Sequence, residues 1–161
     1  MRATEELTVT IPAGVDRGMQ LRLVGKGEVG DPGAPSGNLF VTIDIEAHSL
    51  FRREGIETMV TIPVPYPVMV LGGEITVPTV HGEESLQVPR ATESGKVFTM
   101  RGKGIVRING RGPSGDHHVQ LVVEVPDKLS EREEELLREL AEVQGAEGSV
   151  QERGFWQKLF G

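Results

Sequence analysis

The strongest constraint on this chain is that it carries one pattern twice. Leu7-Thr8-Val9-Thr10-Ile11-Pro12 is followed by Gly18, Gly25-Lys26-Gly27, Pro35-Ser36-Gly37 and Val41-Thr42-Ile43. Glu84-Ser85-Leu86-Gln87-Val88-Pro89 is followed by Gly95, Gly102-Lys103-Gly104, Pro113-Ser114-Gly115 and Val119-Gln120-Leu121. The offset is 77 residues at first and 78 after the loop, so a single inserted residue explains the change. Agreement at several glycines and at the flanking apolar runs marks one β-domain present in two copies. A length of 161 residues leaves room for one compact domain or two small ones, and excludes a large multi-domain enzyme.

Each copy alternates as half-buried antiparallel strands do. Leu7, Val9 and Ile11 share one face, Met19, Leu21 and Leu23 a second, and Val41, Ile43 and Ile45 a third. Phe98 and Met100 repeat the second set, and Val119, Leu121, Val123 and Val125 repeat the third. The composition agrees: 21 Gly and 10 Pro with only 4% aromatics favour short strands and many turns over a helical bundle. The core is expected to be aliphatic and modest.

Between the copies, Val60-Thr61-Ile62-Pro63, a kinked Val64-Pro65-Tyr66-Pro67 and Leu71-Gly72-Gly73-Glu74-Ile75-Thr76-Val77-Pro78 supply further strands to the second copy. The first copy has no such leading strands within this chain. A sheet lacking a strand leaves a ladder edge unpaired, so either a partner fills that edge or the chain is a fragment of something longer. The fragment is the expected reading.

After Pro126 the pattern turns helical. Ser130-Glu131-Arg132-Glu133 is a capping box, and Leu136, Leu137, Leu140 and Val143 form a narrow stripe that Gly145 ends. A linker leads to Phe155-Trp156-Gln157-Lys158-Leu159-Phe160, which holds three of the seven aromatics. Stripe and tail either cover one end of the second sandwich or bury against a second copy of the chain. The apolar tail favours a homodimer.

The net charge of −7 argues against a nucleic-acid binder. Its distribution is uneven: Arg90, Lys96, Arg101, Lys103, Arg107 and Arg111 lie within 90–111 against one acid, Glu93. That stretch is either a solvated turn region or a docking patch for an acidic peptide tail. Cysteine is absent, which removes disulfides, thiolate metal sites and cysteine nucleophiles. There is no apolar run long enough to span a membrane and no signal-peptide stretch after Met1, so a cytoplasmic location is expected.

Motifs of catalysis and cofactor binding fail on inspection. Gly25-Lys26-Gly27-Glu28-Val29-Gly30 fits G-x-G-x-x-G, but Asp31-Pro32-Gly33-Ala34-Pro35 cannot open the helix that would hold a pyrophosphate. Asp116-His117-His118 looks like a metal pair, yet it aligns with Asn38, Leu39 and Phe40 in the first copy, and neighbours on a strand point to opposite faces. His48 and His81 stand alone in turns. No enzyme and no cofactor are expected.

Several segments together carry a family resemblance. Gly25-Lys26-Gly27-Glu28 with Gly33-Ala34-Pro35-Ser36-Gly37-Asn38-Leu39, His48-Ser49-Leu50-Phe51-Arg52-Arg53-Glu54-Gly55, Leu71-Gly72-Gly73-Glu74-Ile75-Thr76-Val77-Pro78-Thr79 and Met100-Arg101-Gly102-Lys103-Gly104 resemble the C-terminal region of the DnaJ family of J-domain co-chaperones. The resemblance covers nearly the whole chain. It implies two tandem β-sandwich domains that bind non-native polypeptides, a terminal helix that pairs two subunits, and a DnaK-type partner chaperone. The family's His-Pro-Asp signature is absent, so ATPase stimulation is not expected. The Cys-x-x-Cys zinc region is absent too, so zinc belongs to a part of the family's proteins that this chain lacks, and the chain begins just past it.

The resemblance sets the expected map. Residues 1–47 are the remainder of the first β-domain, 48–126 the second, and 127–161 the dimerisation helix and aromatic tail. Client binding falls to Leu7, Val9, Ile11, Leu39, Val41 and Ile43, which read equally as ordinary core. Leu86, Val88 and Val119 are the equivalent face of the second copy. Dimerisation falls to Leu136, Leu137, Leu140, Val143, Phe155, Trp156, Leu159 and Phe160, and acidic-tail docking to Arg90, Lys96, Arg101, Lys103 and Arg107. The competing class is a structural or adhesion-type β-sandwich module that binds one defined partner.

Overall fold

The computed structural model describes residues 6–28, 30, 33 and 35–145. The residues up to Glu124 form one compact unit and those from Val125 another. In chain order the first unit holds strands β1 (Gln20–Leu23), β2 (Leu39–Thr42), β3 (Arg52–Glu54) and β4 (Glu57–Pro65). Helix α1 (Tyr66–Leu71), the hairpin β5 (Gly73–Thr79) and β6 (Gly82–Val88), β7 (Val97–Met100) and β8 (His117–Glu124) follow. The second unit holds helix α2 (Glu131–Val143). The fold is mainly β.

The repeat is reproduced bond by bond. β1 pairs antiparallel with β2 in the register Gln20↔Thr42 to Leu23↔Leu39, and β7 with β8 from Val97↔Gln120 to Met100↔His117. The Gly18 N–H donates to Ile43 O and the Gly95 N–H to Leu121 O; the Ile43 N–H donates to Met19 O and the Leu121 N–H to Lys96 O. The glycine-rich loop is also doubled, since Gly27 N–H donates to Gly37 O and Gly104 N–H to Gly115 O. The loop's literal G-x-G-x-x-G therefore serves a strand-to-strand clasp.

The surroundings of the two copies differ. β8 lies between β7 and β4 in the sheet β3-β4-β8-β7, and the hairpin β5-β6 is a separate sheet. Val60, Val64, Val119 and Leu121 of the larger sheet pack with Met69 of α1 and Val77 and Val88 of the hairpin into one buried core. This is a small β-sandwich. In the first copy β2 pairs with β1 alone, and among the described residues only Ile43, at 9% exposure, is a buried apolar residue there.

Four expectations need correction. Residues 6–12 form no strand. Their counterpart β6 pairs with β5, and among the described residues no strand pairs with Leu7, Val9 and Ile11. The segment at Pro65-Tyr66-Pro67 is a helix start, because Pro is tolerated in a first turn where its missing N–H is not needed. β4 and β8 run parallel, from Thr58↔His117 to Pro65↔Glu124, where antiparallel pairing was expected; the long connection between them lets the chain return to the same end. Val88 and Val119, 4% and 0% exposed, belong to the core and offer no surface.

In α2 the capping box forms as the sequence predicts: Ser130 Oγ accepts from the Glu133 N–H, and Glu133 Oε2 accepts from the Ser130 N–H at 2.7 Å. The hydrogen bonds from Ser130 hold the Glu133 carboxyl below the usual carboxylate range. Leu136 and Leu137 are each 46% exposed and Val143 85%, while Leu140 is half-buried. Phe155, Trp156, Leu159 and Phe160 lie outside the described residues. Among the described residues no helix is long and apolar enough to cross a membrane.

Candidate functional site

The outer edge of β2 is the first candidate. Ile43 bonds toward β1, so alternation along an antiparallel ladder turns the backbone groups of Phe40 and Thr42 away from it. On the equivalent edge of β8 the second copy seats β4, with the Thr58 N–H donating to Asp116 O at 3.0 Å. β2 has no such neighbour among the described residues. One face of β1 and β2 carries Leu21, Leu23, Leu39 and Val41, with Leu39 37% exposed and the others half-buried. Phe40, 56% exposed, stands on the opposite face. Leu7 and Val9 are half-buried, and Ile11 is 58% exposed. An unpaired backbone edge beside a half-covered apolar face can accept an extended segment through main-chain hydrogen bonds.

The basic stretch is divided. Arg90 and Lys96 lie before β7 and Arg101, Lys103 and Arg107 after it. Lys103 is paired with Glu84, and Arg107 Nε donates to Pro113 O at 3.2 Å. Arg90, Lys96 and Arg101 are exposed.

The histidine pair resolves into two structural roles. His118 lies on the outer face of the sheet, where Nε2–H donates to Glu57 Oε2 at 3.0 Å and Nδ1 accepts from Thr99 Oγ1 at 3.1 Å. This line ties β4, β8 and β7 across three neighbouring strands. His117 points the other way and is fully buried. Its Nε2 faces Pro78 O at 3.1 Å, and a carbonyl only accepts, so the proton sits on Nε2. Nδ1 then accepts from Thr58 Oγ1 at 2.7 Å, and Phe51 meets the ring edge-on at 5.7 Å. Sequence reasoning missed this buried histidine. The available signal was its alignment with Leu39, a position on the apolar face.

Burial, with a smaller contribution from neighbouring His118, pushes the His117 imidazole below its ordinary value, against the Pro78 hydrogen bond that raises it. The unfolded chain therefore binds a proton more readily than the folded one, so acid favours unfolding. Stability should be fully present above about pH 6.5 and decline as the pH falls below it. Denaturant midpoints at pH 7.5 and 5.5 (about one unit either side) check this. His117→Gln should reduce the difference, and an undiminished difference would refute the assignment.

Among the described residues no group of three or more His, Asp or Glu gathers as a metal site. The chain has no cysteine, so it holds no thiolate ligand for the zinc that the resemblance places elsewhere. A duplicated β-unit, one copy packed as a sandwich and the other a two-stranded sheet among the described residues, defines a tandem-repeat β-protein. The family model described as the DnaJ C terminal domain matches residues 1–126, and the chain belongs to that family. It is 40% identical over 159 residues to the chaperone protein DnaJ of Halalkalibacterium halodurans, covering 99% of this chain and 43% of that protein. It is 41% identical over 155 residues to the chaperone protein DnaJ of Shouchella clausii, covering 96% of this chain and 41% of that protein. The chain spans less than half the length of these relatives.

Proposed function

We propose that this chain is the client-binding and dimerising part of a DnaJ co-chaperone. It binds non-native polypeptides and, within the whole protein, delivers them to a DnaK-type ATP-driven chaperone in the cytoplasm. What supports this reading is the half-covered apolar face of Leu21, Leu23, Leu39 and Val41 beside the outer edge of β2, which has no ladder partner among the described residues. A client strand that adds there is held by backbone groups common to every polypeptide, which suits unfolded proteins of any sequence. Leu7, Val9, Ile11 and Ile43 border that surface in the proposal. No catalysis is required of it. The exposed Arg90, Lys96 and Arg101 are the proposed contacts for an acidic tail of the partner chaperone, with Lys103 and Arg107 flanking them.

Dimerisation is assigned to Leu136, Leu137, Leu140 and Val143 with the aromatic tail. The two leucines at 46% exposure would be covered by a second copy. A dimer carries two binding edges, and a client with several apolar segments gains avidity from both.

The test is light scattering from a chemically denatured client diluted into the protein. The parent chain should suppress aggregation, Leu7→Ser should weaken suppression, and Leu137→Ala with Leu140→Ala should both halve the mass in solution and weaken it. No suppression by the parent would overturn the client-binding reading, and an unchanged dimer mass would overturn the helix assignment.

A further inference from the structure

The sheets of the two repeats share no ladder, and the segment Ile43–Phe51 between them forms no helix or strand. Yet a turn of the first repeat is gripped by the second. Arg53 Nη2 donates to Val15 O at 2.8 Å across 38 residues, and Nε donates to Gly55 O at 2.8 Å. The same Nη2 lies 3.8 Å from Asp16 Oδ1, and the Arg53 side chain is only 23% exposed. Two nitrogens of the planar guanidinium, Nε and Nη2, are used, one on each repeat.

Gly14 is the seat of this contact. A Cβ there would stand 2.3 Å from Val106 O and 2.8 Å from Ile108 N, both in the second repeat. The repeat offset pairs Gly14 with Ala91, and both hold left-handed backbone, with φ of 81° and 55°. The turn by itself therefore tolerates an alanine. What demands glycine at 14 is the approach of the 106–108 backbone, a contact between repeats.

We propose that Arg53 is a positioning residue that clasps the Gly14–Asp16 turn and fixes the angle between the two repeats, and with it the direction in which the β2 edge faces. The clasp stands on the contacts above; its consequence for clients rests on the polypeptide-binding reading. A set angle keeps the two edges of a dimer at one spacing, so a long client engages both without first ordering them.

The chain has no cysteine, so spin labels at Arg22→Cys on β1 and Glu83→Cys on β6, both exposed, report the inter-repeat distance cleanly. The clasp predicts one narrow distance distribution in the parent, a broad one in Arg53→Gln and in Gly14→Ala, and an intermediate one in Arg53→Lys, which keeps the charge but not the fork. Arg53→Gln should also lose about fivefold in affinity for a long denatured client while binding a short single-segment peptide as the parent does. A narrow, unshifted distribution in both Arg53→Gln and Gly14→Ala would overturn the clasp. Broadening with unchanged long-client affinity would overturn the positioning role. A parent that binds neither client refutes the polypeptide-binding reading instead, and the distances still decide the clasp.

Discussion

Leu121→Ala is expected to lower stability by about 2–5 kcal/mol, and Ile43→Ala by markedly less. The two residues are repeat counterparts, each accepting from the opening glycine of its unit, Gly95 or Gly18. Leu121 has no exposed surface and sits on an interior strand of the larger sheet, in one core cluster with Val60, Val64, Met69, Val77, Val88 and Val119. Removing its side chain leaves a cavity that the enclosing sheet, α1 and hairpin cannot easily collapse. Ile43 is 9% exposed at the margin of a two-stranded sheet, where neighbours and solvent can close the gap. Urea unfolding of both variants measures the difference. Equal losses would mean that the first repeat is packed as tightly as the second.

Gly104→Ala is expected to cost about 3 kcal/mol, again with a smaller loss for its counterpart Gly27→Ala. A Cβ at 104 would lie 2.6 Å from Asp116 O and 2.6 Å from Ile56 O, both backbone atoms. Neither can retreat alone, because the Ile56 carbonyl accepts from the Ile105 N–H and the Asp116 carbonyl from Thr58 N–H. At Gly27 the clash is with one strand start only, Asn38 O at 2.6 Å. β2 has no further strand outside it in the described structure and can shift outward. A thermal melt of Gly104→Ala that matches the parent would show that the close approach relaxes at no cost.

The same contrast explains how far the sequence could be read. The glycine spacing and the alternation at Leu21, Leu23, Val41 and Ile43 were enough to place β1, β2, β7 and β8 and to make the two copies superimpose in register. The capping box placed the start of α2, because a cap is a local bond between residues three apart. What local pattern could not supply was the neighbour. Leu7, Val9 and Ile11 alternate as well as any strand, but a ladder needs a partner, and among the described residues none is seated beside them. β4 joins β8 in parallel across more than fifty residues, a pairing that no periodicity encodes. His117 reads as a polar residue in the sequence and becomes core only because Thr58 and Pro78 satisfy both of its nitrogens. The basic run looked continuous until β7 separated its two halves. The contact of Arg53 with the first repeat gave no local signal either, since that acceptor lies 38 residues away.

Amide hydrogen exchange at Phe40 and Thr42, with and without a chemically denatured client, tests the binding edge most directly. Their N–H groups turn away from β1 and have no ladder partner in the described structure. A client strand added to β2 should slow exchange at these two amides, while Leu39 and Val41, which face β1, change little. Client binding that leaves Phe40 and Thr42 as exchangeable as before would contradict edge addition and place the client elsewhere on the chain.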